Sequence, residues 1–174
     1  MHPTFRMPEQ PHGLRVSLGE IEQLLTYPTW PEPGVSLLRP NSSSSGLHAM
    51  PTAEGTIDLS LLPLPLATEE LVQAVNCRGP VHLDYLREGV RVSLDWDRRL
   101  LPDAMLWISN GGRHHAPWNG RHFALGVEPL AGPFDLGRVA IPPENHPLAH
   151  RMLRLLPDEA FMLRYRISAA LLDA

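Results

Sequence analysis

The sequence predicts an all-β protein with little helix, on three observations. Its 174 residues include 19 prolines and 13 glycines, which divide the chain into short segments. Most of these segments alternate apolar and polar residues, as a strand does when only one of its faces is buried. Turn-forming residues recur between the segments at regular spacing, which is typical of a sheet protein with short connections.

Six alternating segments predict the strands. In chain order they cover residues 13–18, 81–86, 90–96, 104–109, 122–127 and 161–168. In each of them, one face would be apolar and would point to the core. Arg87, Glu88 and Gly89 join the second segment to the third, and this short, glycine-containing connection predicts a β-hairpin.

Three other segments are less regular, and two of them leave room for a small amount of helix. Residues 18–26 suit a turn or a strand, and residues 149–156 suit one or two helical turns. Glu69 and Glu70 lie early in residues 68–75, and acidic residues favour the first turn of a helix. This segment is therefore predicted as a short helix or a turn.

A single domain over residues 1–174 is expected, because this length can bury one hydrophobic core. Residues 27–55 are rich in proline and serine and predict a long loop within that domain. A linker between two domains is the alternative, but the flanking segments are too short for separate cores. Within the loop, Trp30 and His48 would edge a binding cleft, or Trp30 would only cap the core.

Composition argues against several classes of protein. The net charge of −4 gives no reason to expect a nucleic-acid or membrane partner. All 15 basic residues are arginine, which rules out a Schiff-base lysine. The sequence contains no apolar run near the ~20 residues of a membrane span and no signal-peptide pattern at its start. The single cysteine, Cys77, fits a reducing compartment, so a cytoplasmic protein is expected.

The candidate site lies in residues 106–135. Alternation over residues 122–128 sends one set of side chains away from the core: His122, Ala124, Gly126 and Glu128. Glu128 would thus end a row of small residues, with room above the sheet for a ligand. Pro129 favours an extended conformation at Glu128. A solvated glutamate with no role is the alternative.

The loop before this strand strengthens the functional interpretation. Residues 109–121 contain three glycines, several Asn, Arg and His residues, and almost no aliphatic residue. Trp118 lies in the loop, and Trp107 lies just before it. Aromatic faces combined with amide, guanidinium and imidazole donors suit a sugar, which has apolar C–H faces and a rim of hydroxyls.

Four short motifs resemble the galactose mutarotase (aldose 1-epimerase) superfamily. They are Trp107-Ile-Ser-Asn-Gly-Gly, Pro117-Trp118, Leu125-Gly-Val-Glu128-Pro129 and, near the other end of the chain, His2-Pro-Thr-Phe5. The resemblance implies an antiparallel β-sandwich that forms part of the larger supersandwich of that family. It also implies that the chain matches the C-terminal portion of such a domain. An arginine and a histidine that bind the sugar ring in the family would precede His2 and have no counterpart here.

The resemblance implies an acid–base reaction on a free aldose. Glu128 would be the general base that takes the proton of the anomeric hydroxyl, and His2 would be the general acid that protonates the ring oxygen. The ring would then open and close again as the other anomer. A carboxylate and an imidazole suit these roles at neutral pH. The resemblance implies no metal or organic cofactor, and the chain would be inactive if the absent half is essential.

Substrate-binding residues are expected nearby. Trp107 and Asn110 would line the pocket, and His122 shares the strand face of Glu128. Glu70 stands where the family has a sugar-binding aspartate, although its side chain is one carbon longer. The alternatives are a core position for Trp107 and a solvated carboxylate for Glu70.

Other functions remain open from the sequence. A non-catalytic sugar-binding or interaction module would keep the aromatic loop without turnover. A cupin-like metal enzyme is suggested by His114, His115 and His122 with Glu128. However, adjacent histidines on an extended chain point to opposite faces, and the His-x-His spacing of cupins is absent.

Self-association is the last expectation. Half of a sandwich would leave strand edges and an apolar face without cover. A homo-oligomer is therefore expected, in which a second copy covers that face.

Overall fold

The chain is almost entirely β structure, in agreement with the sequence. A computed structural model describes residues 2–136, 148 and 151–172. Over these residues it contains one turn of 3₁₀ helix, Leu47–Ala49, and thirteen strands. The strands are β1 (Thr4–Arg6), β2 (Leu14–Ser17), β3 (Gln23–Thr26), β4 (Ser43–Ser44), β5 (Met50–Pro51), β6 (Thr56–Ile57), β7 (Leu61–Leu62), β8 (Thr68–Val75), β9 (Val81–Tyr85), β10 (Val90–Trp96), β11 (Asp103–Asn110), β12 (Phe123–Leu130) and β13 (Tyr165–Leu171).

Two antiparallel sheets form the body of the described chain. The larger sheet has six strands in the order β1-β12-β11-β8-β3-β4, and the smaller has five in the order β13-β10-β9-β2-β7. Strands β5 and β6 form a separate two-stranded ladder. The prediction of an antiparallel β-sandwich is confirmed.

The core lies between the two sheets. Every second residue of the long strands points into it, because side chains alternate across a strand. The six-stranded sheet contributes Val72, Ala74, Leu106, Ile108, Leu125 and Val127, and the five-stranded sheet contributes Leu14, Val16, Leu83 and Leu94. Each large side chain buried here contributes roughly 1.5–3 kcal/mol. This packing fixes which face of β11 and β12 is left to point outward.

Most predicted strands are present. Residues 90–96 form β10 with the predicted bounds, residues 104–109 lie within β11, and residues 123–127 begin β12. Residues 87–89 connect β9 to β10, which are antiparallel neighbours as a hairpin requires. The last strand lies further along than expected, since β13 begins at Tyr165 and ends at Leu171.

The interpretation of residues 68–75 as a short helix or turn is wrong. They form β8, a central strand between β11 and β3. Seven of its eight residues are buried, so the segment lacks the one-sided alternation that marks an exposed-face strand. Of the helical turns expected at 149–156, residues 149 and 150 lie outside the described residues, and 151–156 are not helical.

Residues 27–55 run against the edge of the larger sheet. The hydroxyl of Ser36 donates to the carbonyl oxygen of Glu69 at 2.5 Å, and the N–H of Leu37 donates to the Glu70 carboxylate at 2.6 Å. Trp30 is 54% exposed and caps no core. His48 contacts Asp58 rather than the candidate site.

The outer face of the six-stranded sheet has two different ends. One end is covered by a second apolar cluster made of Leu25, Val75, Met105, Phe134 and Leu148. The other end carries Trp107 and Glu128. Among the described residues there is no helix of the length and apolar character that crossing a membrane would require.

Candidate functional site

The structure brings His2 and Glu128 into direct contact. Strand β1 pairs antiparallel with β12, with Thr4 opposite Gly126, and the N–H of Val127 donates to the carbonyl oxygen of Pro3 at 2.9 Å. Two residues before Thr4 and two residues after Gly126, the same register places His2 beside Glu128. Their side chains meet with 2.9 Å between Nδ1 and Oε2. Two side chains that are far apart in the sequence therefore form one pair.

Glu128 has one paired and one unpaired carboxylate oxygen. Oε2 contacts His2, whereas Oε1 is buried and has no hydrogen-bond partner among the described residues. Burial raises the pKa of the Glu128 carboxyl, and the neighbouring His2 acts in the opposite direction. A buried acceptor without a donor is costly in a folded protein and calls for an explanation.

Gly126 allows Trp107 and Glu128 to pack closely over the strand next to this free oxygen. Gly126 lies opposite Trp107 of β11 and next but one to Glu128. A Cβ atom on Gly126 would stand 3.1 Å from Oε1 of Glu128 and 3.2 Å from the Cβ of Trp107. Any larger residue would therefore crowd the carboxylate, and glycine lets the Glu128 and Trp107 side chains lie against the strand.

A row of rings lines the site. The His2 ring meets Trp107 edge-on, with 5.4 Å between centroids, and His122 stacks against the other side of Trp107 at 5.4 Å. Trp118 from the loop contacts His122 with 4.6 Å between centroids. Nδ1 of His122 lies 2.8 Å from the hydroxyl of Ser109, which fixes the imidazole on the sheet.

Glu69 holds this arrangement in place. Its carboxylate is fully buried and accepts hydrogen bonds from Nε1 of Trp107 at 2.5 Å and from the hydroxyl of Ser109 at 3.0 Å. Nε of Arg113 lies 2.9 Å from the same carboxylate. The Arg113 guanidinium also covers the rings of Trp107 and Trp118, at 5.0 and 5.4 Å. One buried carboxylate thus ties the loop to the sheet.

Two of the expected substrate-binding residues lie elsewhere. Glu70 points to the opposite face of β8, is 1% exposed and accepts hydrogen bonds from Leu37 and Thr68. Burial raises the pKa of its carboxyl. Asn110 is also 1% exposed, and its amide binds the backbone of Leu64 and Leu66. The assignment of Glu70 and Asn110 to the pocket is therefore corrected, because neither reaches the outer face.

The sequence did not predict that four residues of the site form one connected group: Glu69, Ser109, Arg113 and Trp118. If residues 68–75 are interpreted as a strand, their odd-numbered members share the face of Trp107, because β8 and β11 are paired with Leu71 opposite Trp107. That alternation would have selected Glu69 in place of its neighbour. Sequence alone carries no signal that joins Arg113 to Glu69.

The loop histidines do not gather around Glu128. His114 and His115 are exposed. Within residues 2–136, 148 and 151–172, no three His, Cys, Asp or Glu side chains are grouped so that they could hold a metal ion. The cupin-like alternative therefore has no support from this part of the chain.

Comparisons of the chain with models of protein families, with curated proteins and with solved structures found no match. The functional argument accordingly depends on the geometry of the site and on the chemistry of its residues.

Proposed function

We propose that this protein binds a monosaccharide or sugar derivative on the outer face of its six-stranded sheet and interconverts the α and β anomers. The observation that carries the proposal is the His2–Glu128 pair, with its unpaired, buried Oε1 beside Gly126. This arrangement supports the reaction that the mutarotase-like motifs imply.

The pair has the chemistry that ring opening needs. The Glu128 carboxylate takes the proton of the anomeric hydroxyl O1, while the bond between C1 and the ring oxygen O5 breaks and O5 receives a proton from His2. Rotation about C1–C2 and the reverse proton transfers close the ring on the other face. O1 and O5 are both bonded to C1, so two groups that lie side by side can reach both oxygens.

The surroundings favour these roles. A raised pKa makes the Glu128 carboxylate a stronger base than an exposed glutamate. The half-buried rings of Trp107 and His122 lie beside the pair and give the site an apolar border for a sugar, and Glu69 keeps Trp107 in position.

Polarimetry of freshly dissolved α-glucose and α-galactose tests the proposal. The Glu128→Gln variant keeps the shape of the side chain but removes the base, and we expect it to lose about 10²–10⁴-fold in rate. Glu88→Gln, at the exposed hairpin between β9 and β10, is the matched control and should keep the wild-type rate. Equal rates for wild type and Glu128→Gln would exclude this mechanism.

The dependence of the rate on pH provides a second test. The base must be ionised, so the rate should rise with pH, about tenfold per unit, until the Glu128 carboxyl has lost its proton. Because burial raises the pKa of this group, the rise should end above the ordinary value of 4.5. A profile that is already flat at that pH would contradict the assignment of Glu128 as the base.

A non-catalytic sugar-binding module is the second candidate. The His2 side chain is 50% exposed and precedes a strand of only three residues, so few contacts hold the acid in place. If this candidate is correct, sugar quenches or shifts the tryptophan fluorescence while the anomers interconvert at the uncatalysed rate.

A cytoplasmic location is part of the proposal. Cys77 is the single cysteine of the chain and is buried, so no internal disulfide requires an oxidising compartment.

A further inference from the structure

The C-terminal arm, residues 151–171, carries most of the exposed large apolar side chains in the described part of the chain. Nine of the thirteen belong to it: Met152, Leu153, Leu155, Leu156, Phe161, Met162, Tyr165, Ile167 and Leu171. Single exposed apolar residues are normal on a protein surface, but a concentrated patch marks a surface that contacts another molecule.

Among residues 2–136, 148 and 151–172, no strand pairs with the second edge of β13, which lies within this arm. It pairs with β10 on one side, and all seven of its residues are exposed. The N–H of Asp97 donates to the carbonyl oxygen of Arg164, and the N–H of Leu172 donates to that of Gly89. Hydrogen-bonded pairs alternate along an antiparallel ladder, so the even-numbered residues bond to β10 and the odd-numbered residues 165–171 point their backbone groups outward. Such an edge is a template for another strand.

The side chains of β13 also lack cover on the core-facing side. Tyr165 lies opposite Trp96, and Ile167 lies opposite Leu94. Trp96 and Leu94 are 5% and 1% exposed, whereas Tyr165 and Ile167 are 54% and 49% exposed. The apolar face of the five-stranded sheet therefore continues onto β13, beyond the part that the larger sheet covers.

We propose that β13 pairs antiparallel with β13 of a second copy of this chain, about a two-fold axis at Ser168, so that two five-stranded sheets become one. The pairs across the axis are Tyr165 with Leu171, Arg166 with Ala170, Ile167 with Ala169, and Ser168 with itself. The outward backbone groups of the odd-numbered residues then face each other and form the hydrogen bonds of the new ladder.

The sequence of β13 suits this register. Arg166 is the one charged residue of the strand, and it meets Ala170, so no like charges stand opposite each other. Ser168 occupies the axis as a non-hydrogen-bonded pair, where the Cα atoms approach to about 4.5 Å and a small side chain is favoured.

The exposed area matches what a stable dimer needs. The nine apolar side chains of the arm are 37–81% exposed. With roughly 150–250 Å² for a large side chain, the nine together expose on the order of 800 Å² per chain, the share of one partner in a standard interface. Three of them, Tyr165, Ile167 and Leu171, lie on β13, and the other six lie in the segment before it. Pairing about a two-fold axis is closed, so it yields a dimer and not a fibre.

Light scattering coupled to size-exclusion chromatography tests the proposal on the full chain at micromolar concentration. Wild type should be a dimer. Ile167→Lys places a charge on the paired edge, and Ala169→Pro removes an outward N–H without breaking the β10 ladder, so both should be monomers. Leu86→Lys, which changes an exposed leucine outside the arm, should remain a dimer. Circular dichroism checks that each variant is folded.

A cysteine scan tests the register itself. Directly opposite residues have Cβ atoms about 4.5–5.5 Å apart, close to disulfide range, so Ser168→Cys should cross-link under mild oxidation. Arg166→Cys is the control, because its two copies would lie about 13 Å apart along the strands. The native Cys77 is buried and does not compete. A monomeric wild type, a dimer that survives both edge variants, or equal cross-linking at the two positions would overturn the proposal.

Discussion

The two ends of the outer face of the six-stranded sheet are formed by the same strands, but an apolar cluster covers only one of them. At the covered end, Phe134 packs over Met105 and Val75, and Gln73 beneath it donates to the carbonyl oxygen of Gly132 and accepts from the N–H of Phe134. In the part of the chain that the structure describes, every buried side-chain nitrogen and oxygen at this end has a hydrogen-bond partner. This end has the organisation of a core, and its residues stabilise the fold.

At the open end the same strands present Trp107, Gly126 and Glu128. The buried Glu69 carboxylate has three donors, and the buried polar groups here are paired with one exception. Oε1 of Glu128 is the one buried side-chain oxygen or nitrogen without a partner among the described residues. The two ends therefore differ in one respect: the covered end leaves no buried acceptor unpaired among the described residues, whereas the open end leaves one, and we propose that a ligand uses it.

The largest expected effect is at the acid. His2→Gln should lower the rate of anomer interconversion by about 10²–10⁴-fold, because ring oxygen protonation would be lost, while the row of rings still binds sugar. Polarimetry measures the rate, and tryptophan fluorescence measures binding. His48→Gln, an exposed histidine beside Asp58, is the control. An unchanged rate in His2→Gln would remove His2 from the reaction.

Next comes a substitution at the covered end. Phe134 is 6% exposed, and Phe134→Ala should cost about 3–5 kcal/mol in the free energy of unfolding, as cavity-forming changes do. Denaturant titration measures this cost, and Phe123→Ala, at a 42% exposed position, should cost much less. Sugar affinity of the folded variant should not change. A parallel loss of affinity would show that the two ends are not independent.

A smaller effect on sugar binding is expected from a larger side chain in place of Gly126. Gly126→Val would place a side chain against Oε1 of Glu128 and Trp107, so it should cost about 1–3 kcal/mol of folding stability, as overpacking does, and should weaken sugar binding. Gly46→Val is the matched control, because a Cβ atom there would meet nothing within 4 Å. Isothermal titration with galactose compares the two. Equal affinities would place the sugar elsewhere.

The smallest effect concerns Glu70, the buried neighbour of Glu69 on the opposite face. Its folded-state pKa is raised by burial, so its contribution to stability is present at low pH and is lost as pH rises through that pKa. Glu70→Gln should therefore lose less stability than wild type between acidic and neutral pH, with sugar binding unchanged. Thermal unfolding across this range checks the direction, with Glu88→Gln as the control. A variant with the wild-type pH dependence would contradict it.

Alternation predicted the strands that have one buried face. Strands β10 and β12 were found from their patterns because Leu94 and Leu125 alternate with polar or small residues, and β11 was found although seven of its eight residues are buried. Strand β8 was missed because it is buried on both faces and opens with two glutamates. In a strand, a shift of one residue exchanges the two faces, so choosing Glu70 over Glu69 selected the wrong side of the sheet.

The site was predictable only in part. The motifs around His2 and Glu128 led to the expectation of a pair, and the structure places the two side chains in contact. Asn110 was misassigned because nothing in the sequence shows that its amide is used by the backbone of Leu64. Arg113 and Glu69 are far apart in the chain, and such long-range partners follow from the sheet register and not from local pattern.

The weak attachment of β1 to the sheet affects how much of the time His2 and Glu128 are in contact. His2 precedes a three-residue edge strand whose ladder to β12 includes the bond from the N–H of Val127 to Pro3. Whenever this short strand peels away, His2 and Glu128 separate while the rest of the sandwich stays folded. Under the proposed mechanism, the fraction of molecules in which the two are in contact would scale the turnover rate, and amide hydrogen exchange at Val127 would report that fraction directly.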